Sequence, residues 1–199
     1  MRYLYRKESK VSFKDRCTAY GQKPVIFWFT GLSGAGKSTI ADEFEKRLFD
    51  LGRIVFSLDA DDLRKKLNAD LGFSMEDRTE NVRRASETAR LLQDAGVIVL
   101  ATFISPARTI RKKAREIARE GMFLEIYVKA SLETCIARDP KGFYKKAVDG
   151  DIKNYTGISS SYEAPEYPEL VLDTDVDNVD TCVKKLMLLA ASAGVFKEE

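Results

Sequence analysis

Apolar residues recur along this chain in two rhythms. Short continuous apolar runs alternate with longer stretches in which apolar side chains return at helical spacing. The runs Val25–Thr30, Arg53–Leu58, Val97–Phe103, Phe123–Val128 and Glu169–Leu172 read as strands, the first of them buried on both faces. A helix is expected from about Lys37, with Ile40, Phe44, Leu48 and Leu51 on one face and Gly52 as its stop. A short helix is expected over Asp62–Asn68. A long one follows a Ser74 N-cap and runs to about Ala95, with Val82, Ala85, Ala89 and Leu92 inward. Ser105–Pro106 reads as another helix start, Ser as N-cap and Pro at the first helical position. Ser131 caps a helix through Arg138, and a last helix spans about Val179–Ala191.

Strands alternating with helices predict an α/β fold of three layers: a five-stranded parallel sheet with helices on both faces. Two stretches fall outside the alternation. Residues 1–22 are polar and basic, read as an arm outside the core with a short helix, leaving 23–199 as the main domain. Residues 139–165 hold Gly142, Gly150 and Gly157, many charges and one short helical patch. So long a loop inside a compact domain is usually functional, and it reads as a mobile lid.

Composition narrows the function by exclusion. The 199 residues suit a single domain. A net charge of +2 is too mild to point to nucleic acid, and the longest basic run, Arg111-Lys112-Lys113, reads as a solvated helix face. No apolar run approaches a membrane span, and the first residues lack the apolar core of a secretory signal. Cys17, Cys135 and Cys182 are odd in number and lack a Cys-x-x-Cys spacing. They predict free thiols in a reducing, cytoplasmic setting. There is no histidine, which removes His-based acid–base chemistry, Ser-His-Asp triads and His metal ligands.

Gly31-Leu32-Ser33-Gly34-Ala35-Gly36-Lys37-Ser38 matches G-x-x-x-x-G-K-[ST] between a strong strand and an amphipathic helix, the context this motif needs. Its glycines let backbone N–H groups converge on phosphate oxygens, and the helix adds its positive N-terminus. Lys37 would reach the β- and γ-phosphates of ATP, Ser38 would ligate Mg²⁺, and Thr39 continues the loop. No Asn-Lys-x-Asp or Thr-Lys-x-Asp element accompanies it, so a small-molecule kinase fits better than a GTPase switch.

Asp59 and Asp61 stand at the C-terminal end of the second strand, the edge where open α/β sheets place ligands. They read either as acceptor-orienting and Mg²⁺-water carboxylates or as a turn and helix cap. Among Arg64, Arg78, Arg83 and Arg84, guanidinium forks suit an anionic acceptor, with Arg83 and Arg84 read as solvated. Phe73, in a Gly-Phe-Ser break, either stacks on a base or plugs the core.

Several further stretches carry a resemblance to the adenylylsulfate kinase family, over about Arg16 to Leu172. They are Leu67-Asn68-x-Asp70-Leu71-Gly72-Phe73-Ser74, Asp77-Arg78-x-Glu80-Asn81-Val82-Arg83-Arg84, Phe103-Ile104-Ser105-Pro106, Asp139-Pro140-Lys141-Gly142-Phe143-Tyr144-Lys145-Lys146-Ala147, Ile152-Lys153-Asn154-Tyr155-Thr156-Gly157-Ile158 and Tyr162-Glu163-Ala164-Pro165. The resemblance implies transfer of the ATP γ-phosphate to the ribose 3′-hydroxyl of adenosine 5′-phosphosulfate, with Mg²⁺ as cofactor. It also implies a homodimer and a functional link to ATP sulfurylase. By that resemblance Asp61 contacts the 3′-hydroxyl, while Arg64, Arg78 and Asn81 hold the phosphosulfate. Phe73 and Tyr155 sandwich the adenine, and Ile104, Ser105 and Lys141 complete the pocket. Ser105 is open to two readings, a phosphoenzyme serine as in family descriptions or an anion-facing N-cap. The chain departs from the family's Asp-Gly-Asp-Asn at Ala60 and Asp62, from its common His at Lys65, and from its common Phe at Tyr155. The departures leave a paralogous kinase of an anion such as cytidine diphosphoramidate as one rival; a second, of another class, is a non-catalytic nucleotide-binding partner of a sulfurylase.

Overall fold

The computed structural model describes residues 9–152 and 154–196, so Lys153 and the ends of the chain lie outside the described residues. Five parallel strands form one sheet in the order β2-β3-β1-β4-β5: β1 (Ile26–Thr30), β2 (Val55–Asp59), β3 (Ile98–Thr102), β4 (Phe123–Lys129) and β5 (Leu170–Asp173). The helices are α1 (Phe13–Tyr20), α2 (Lys37–Asp50), α3 (Ala60–Arg64), α4 (Met75–Asp94), α5 (Arg108–Ile117), α6 (Leu132–Arg138), α7 (Phe143–Val148) and α8 (Val179–Ser192).

β1 is central and buried at every position, as its unbroken apolar run requires. Its side chains alternate between two cores. Phe27 and Phe29 join Phe44, Leu48, Ile126, Val128 and Leu186 under α2 and α8. Ile26 and Trp28 join Val82, Ala85, Ala89, Phe103 and Ile110 under α4 and α5. The indole of Trp28 stacks on Phe103 at 5.0 Å. The sheet thus carries helices on both faces, and the strands' C-terminal ends share one edge, where β1 runs into the glycine loop.

Four local expectations change. Ser105 does not cap a helix. α5 begins at Arg108, with Ala107 at its N-cap position and no side-chain cap of its own. Ser105 instead holds a left-handed backbone (φ 39°), and its hydroxyl turns inward, accepting from Trp28 Nε1 at 3.1 Å and donating to Thr30 Oγ1 at 3.2 Å. The α5 amide of Arg108 is met by Glu163 Oε2 at 2.8 Å, from a distant stretch of chain. The helix expected at 62–68 lies earlier, at Ala60–Arg64, because the Asp59 carboxylate accepts the Asp61 amide at 2.8 Å and sets the N-cap there.

Arg111 is not solvated. It is 3% exposed, and it pairs with Glu125 at 2.6 Å and donates to the carbonyls of Ser105 and Glu163, both at 2.7 Å. Lys112 and Lys113 are exposed, as expected. The far end of the N-terminal stretch is also more than an outlying arm. Gln22 is buried and its amide nitrogen donates to the carbonyls of Ile54 and Gly96 at 2.9 and 2.8 Å. The guanidinium of Arg119 lies 3.7 Å from the ring centroid of Phe13, on α1.

Candidate active site

One cavity of about 1160 Å³ opens at the C-terminal edge of the sheet. That exceeds the usual range for a single small ligand. Ser33, Gly34, Ala35, Gly36, Lys37, Ser38 and Thr39 line it, with Asp59, Asp61, Arg64, Phe73, Arg78, Asn81, Ile104, Ser105, Lys141 and Tyr155. Every site residue expected from the sequence is brought there except Gly31, which is buried beneath the loop. Gly31 has φ +147°, and a Cβ on it would collide with the Val128 carbonyl. Gly34 has φ +76°, and a Cβ there would stand 3.0 Å from the Cys135 carbonyl oxygen. The loop can lie this close to β4 and α6 only without side chains at these positions.

Lys37 is partly exposed on the cavity wall and donates to the carbonyls of Gly31 and Leu32 at 2.9 and 2.7 Å. The dense protein around it pushes its ammonium down to about 8, against the smaller pull of nearby Cys135 and Asp59. Asp59 is the hub of the loop's far side. Its Oδ2 accepts from Ser38 Oγ at 2.9 Å and Thr102 Oγ1 at 2.6 Å. Burial alone would raise this carboxyl, but the hydrogen bonds from Thr102, the Asp61 amide and Ser38 outweigh it and hold it below the usual range. Asp59 is therefore helix cap and site carboxylate at once. Asp61, on α3, makes an ion pair with Lys141 across the cavity.

At the cavity's other end Phe73 is 58% exposed, so it does not plug the core. The guanidinium of Arg64 lies 4.3 Å from its ring centroid and donates to the carbonyls of Leu71 and Gly72 at 3.2 and 2.9 Å. Arg78 is nearly buried and donates to the Phe73 and Asn154 carbonyls and to Thr156 Oγ1. Asn81 Oδ1 accepts from Asn68 Nδ2 at 2.8 Å, so its amide nitrogen is the end not so engaged. Arg83 and Arg84 bind Glu80, and Arg84 also binds Asp70, which fits a surface network. Tyr155 packs edge-on against Tyr144 at 5.0 Å, and Tyr144 Oη donates to the Ser33 carbonyl at 2.9 Å.

Several lining residues escaped the sequence reading. Arg138 donates to the carbonyls of Gly34 and Thr174 and to Thr174 Oγ1, while Thr174 Oγ1 also donates to the Ala35 carbonyl at 2.9 Å. With Asn178, Val179 and Cys182 they wall the glycine-loop end. The one signal for them was position: Thr174 directly follows β5, at the edge where ligands gather.

A parallel sheet whose first strand feeds a glycine loop and helix, beside strand-end carboxylates and an anion-suited pocket, defines a P-loop kinase of small molecules. The Adenylylsulphate kinase family profile matches residues 23–173, and the chain belongs to that family. It is 50% identical to the adenylyl-sulfate kinase of Staphylococcus haemolyticus over 180 residues, 90% of each chain. Among solved structures it resembles the Mycobacterium tuberculosis APS kinase CysC in complex with AMPPNP and APS, with a TM-score of 0.81 and 44% identity over 84% of this chain and 98% of that one. It also resembles a hexameric APS kinase from Thiobacillus denitrificans, with a TM-score of 0.68 and 31% identity over 89% of this chain and 31% of that one.

Proposed function

We propose that the chain transfers the γ-phosphoryl group of ATP to the ribose 3′-hydroxyl of adenosine 5′-phosphosulfate, giving 3′-phosphoadenosine 5′-phosphosulfate. The observation that carries the reading is the single cavity joining the glycine loop to Phe73, Arg64 and Tyr155, with Asp61 between the two ends. ATP lies on residues 31–39, with Lys37 turning from the Gly31 and Leu32 carbonyls to the phosphates. The acceptor base stacks at Phe73 and Tyr155, and its anion draws on Arg64 and the Asn81 amide. Ile104 and Ser105 form the pocket wall.

Asp61 orients the attacking hydroxyl once Lys141 leaves it for phosphate oxygens. A loose phosphoryl transition state asks more for position and positive charge than for a strong base. Closure of the 139–165 lid expels water. Ser105 serves by position, since its buried hydroxyl is engaged by Trp28 and Thr30; a phosphoserine at 105 during turnover would overturn that assignment.

The Ser38 hydroxyl and Asp59 carboxylate, 2.9 Å apart, offer the hard oxygens that suit Mg²⁺ together with nucleotide phosphates. When bound, the ion neutralises charge on the transferring phosphoryl group. We assign residues 23–199 to the kinase domain and residues 1–22 to an N-terminal arm whose far end packs against it at Phe13 and Gln22. The proposed assembly is a homodimer, as the family resemblance implies; the hexameric relative, of which this chain spans 31%, speaks only for self-association. A cytoplasmic location is supported by the three free cysteines. Among the described residues no helix is long and apolar enough to cross a membrane. The acceptor itself must come from an enzyme that joins sulfate to an adenylyl group, such as a sulfurylase.

ADP release from ATP-Mg²⁺, measured with adenosine 5′-phosphosulfate, AMP and cytidine diphosphoramidate, tests the reading. Turnover is expected with the phosphosulfate alone, and Asp61→Asn should lower kcat by about two orders of magnitude. Turnover only with the cytidine compound would overturn the acceptor, and ATP binding without ADP release would overturn catalysis.

A further inference from the structure

We propose that Arg78 sets the spacing of the slot that receives the acceptor's base, acting as a positioning residue for base selectivity. The inference rests on the acceptor reading above, which puts the base between Phe73 and Tyr155.

One guanidinium ties together the two segments that carry these rings. Arg78 Nε donates to the carbonyl of Phe73 at 3.0 Å. Its Nη1 donates to Thr156 Oγ1 at 3.0 Å and its Nη2 to the carbonyl of Asn154 at 2.7 Å. Asn154 and Thr156 flank Tyr155 on either side. The segments are far apart in sequence, and their tie is a planar fork whose donors point in set directions. It is also protected: Arg78 is 9% exposed and Thr156 is 1% exposed. Asn154 holds a left-handed backbone (φ 58°), which Asn adopts more readily than most residues, and the Arg78 bond fixes its carbonyl.

Each ring has its own backing. Phe73 lies against Arg64, and Tyr155 lies edge-on to Tyr144, whose hydroxyl is anchored on Ser33. With both rings backed, the Arg78 fork is a direct tie between their segments. A base stacked on two rings needs contacts of about 3.5–4.0 Å on each face, so a small change in the distance between the segments costs stacking on one side or the other. Three of the five guanidinium N–H donors are already spent on this bridge. A lysine in its place is a point charge and cannot hold three acceptors in these directions.

The bridge can be weakened without touching the charge, because the bond to the Asn154 carbonyl stays. Thr156→Val removes the hydroxyl acceptor and Thr156→Ser keeps it. The probes are adenosine 5′-phosphosulfate and cytidine 5′-phosphosulfate, which share the anion and ribose and differ in the stacked base. Thr156→Val and Arg78→Lys are each expected to lower kcat/KM for the adenosine compound about tenfold, with most of the loss in KM. Both should narrow the adenosine-to-cytidine ratio and leave KM for ATP unchanged, while Thr156→Ser restores the ratio. Amide hydrogen exchange should rise together around Phe73 and over residues 154–158 in both variants, with no acceptor present. The proposal is overturned if exchange stays at the wild-type level in both Thr156→Val and Arg78→Lys. It is equally overturned if Arg78→Lys weakens both acceptors by the same factor while Thr156→Val leaves the ratio intact, the pattern of a plain anion ligand. Should the wild-type enzyme turn over neither acceptor, the acceptor reading fails by itself, and the exchange measurement still decides whether Arg78 bridges the two segments.

Discussion

Lys37 shows how much of the chemistry rests on where one side chain is held. Burial in dense protein brings its ammonium from an ordinary 10.5 to about 8, although it donates to loop carbonyls. Phosphate oxygens arriving on the loop would favour the charged form and raise it again. ATP therefore binds the protonated enzyme better, and its KM should rise as pH passes upward through about 8, approaching tenfold per pH unit while the bound form stays charged. Steady-state KM for ATP between neutral and alkaline pH checks this, with calorimetry in buffers of different ionisation enthalpy to read proton uptake. A flat profile would sink it. Folding stability moves the other way. Between about 8 and 10.5 the unfolded chain keeps a proton on Lys37 that the folded chain has lost, so this group's contribution to stability rises with pH across that window.

At the scale of elements, α5 draws its first cap from another part of the chain. The Glu163 carboxylate meets the Arg108 amide, the Glu163 amide donates to the Pro106 carbonyl, and Arg111 donates to the Glu163 carbonyl. These bonds stitch the end of the 139–165 segment to the helix and to the Ile104–Ser105 wall of the cavity. Glu163→Ala should cost about 1 kcal/mol, which for a chain of this size lowers Tm by about 2–4 °C. Glu163→Gln should cost less, because it keeps an acceptor and loses only the charge near the helix N-terminus. Chemical denaturation of the three proteins checks the order, and equal stability in all three would count against the cap. The same element scale shows why β2 is a safe sheet edge: the Glu45 carboxylate takes the outward amide and hydroxyl of Ser57 at 2.8 and 2.7 Å.

For the whole molecule, the strand order decides which residues meet. Placing β1 between β3 and β4 puts the glycine loop beside the ends of β3 and β4, with Asp59 one strand further on. Loops and helix ends scattered from Ser33 to Cys182 then converge on one cavity. Arg111 and Glu125 form a buried pair behind the acceptor wall, where removing one partner would strand a charge in the core. The proposed homodimer belongs to this scale as well. Light scattering should return about twice the monomer mass at micromolar concentration, and a monomer mass would reject that assembly.

What the chain determines by itself is local in origin. Apolar periodicity, glycine stops and the Ser74 and Ser131 caps act between near neighbours, so all five strands, the long helices and the phosphate loop were legible, with ends shifted by a residue or two. The family motifs likewise pointed to the cavity residues, because motif and cavity wall are the same stretches of chain. Tertiary structure decided the partners of buried polar groups. Ser105-Pro106 carries every sign of a helix start, yet Trp28 and Thr30 offered its hydroxyl a better place and Glu163 took over the cap. Arg111 looked solvated within a basic run until Glu125 and two carbonyls came to it from elsewhere. Arg78 looked like an anion ligand, and only the fold brought it Phe73, Asn154 and Thr156 together. The physical reason is common to all three. A buried donor must find an acceptor, and which one it finds depends on chain segments that sequence distance does not relate.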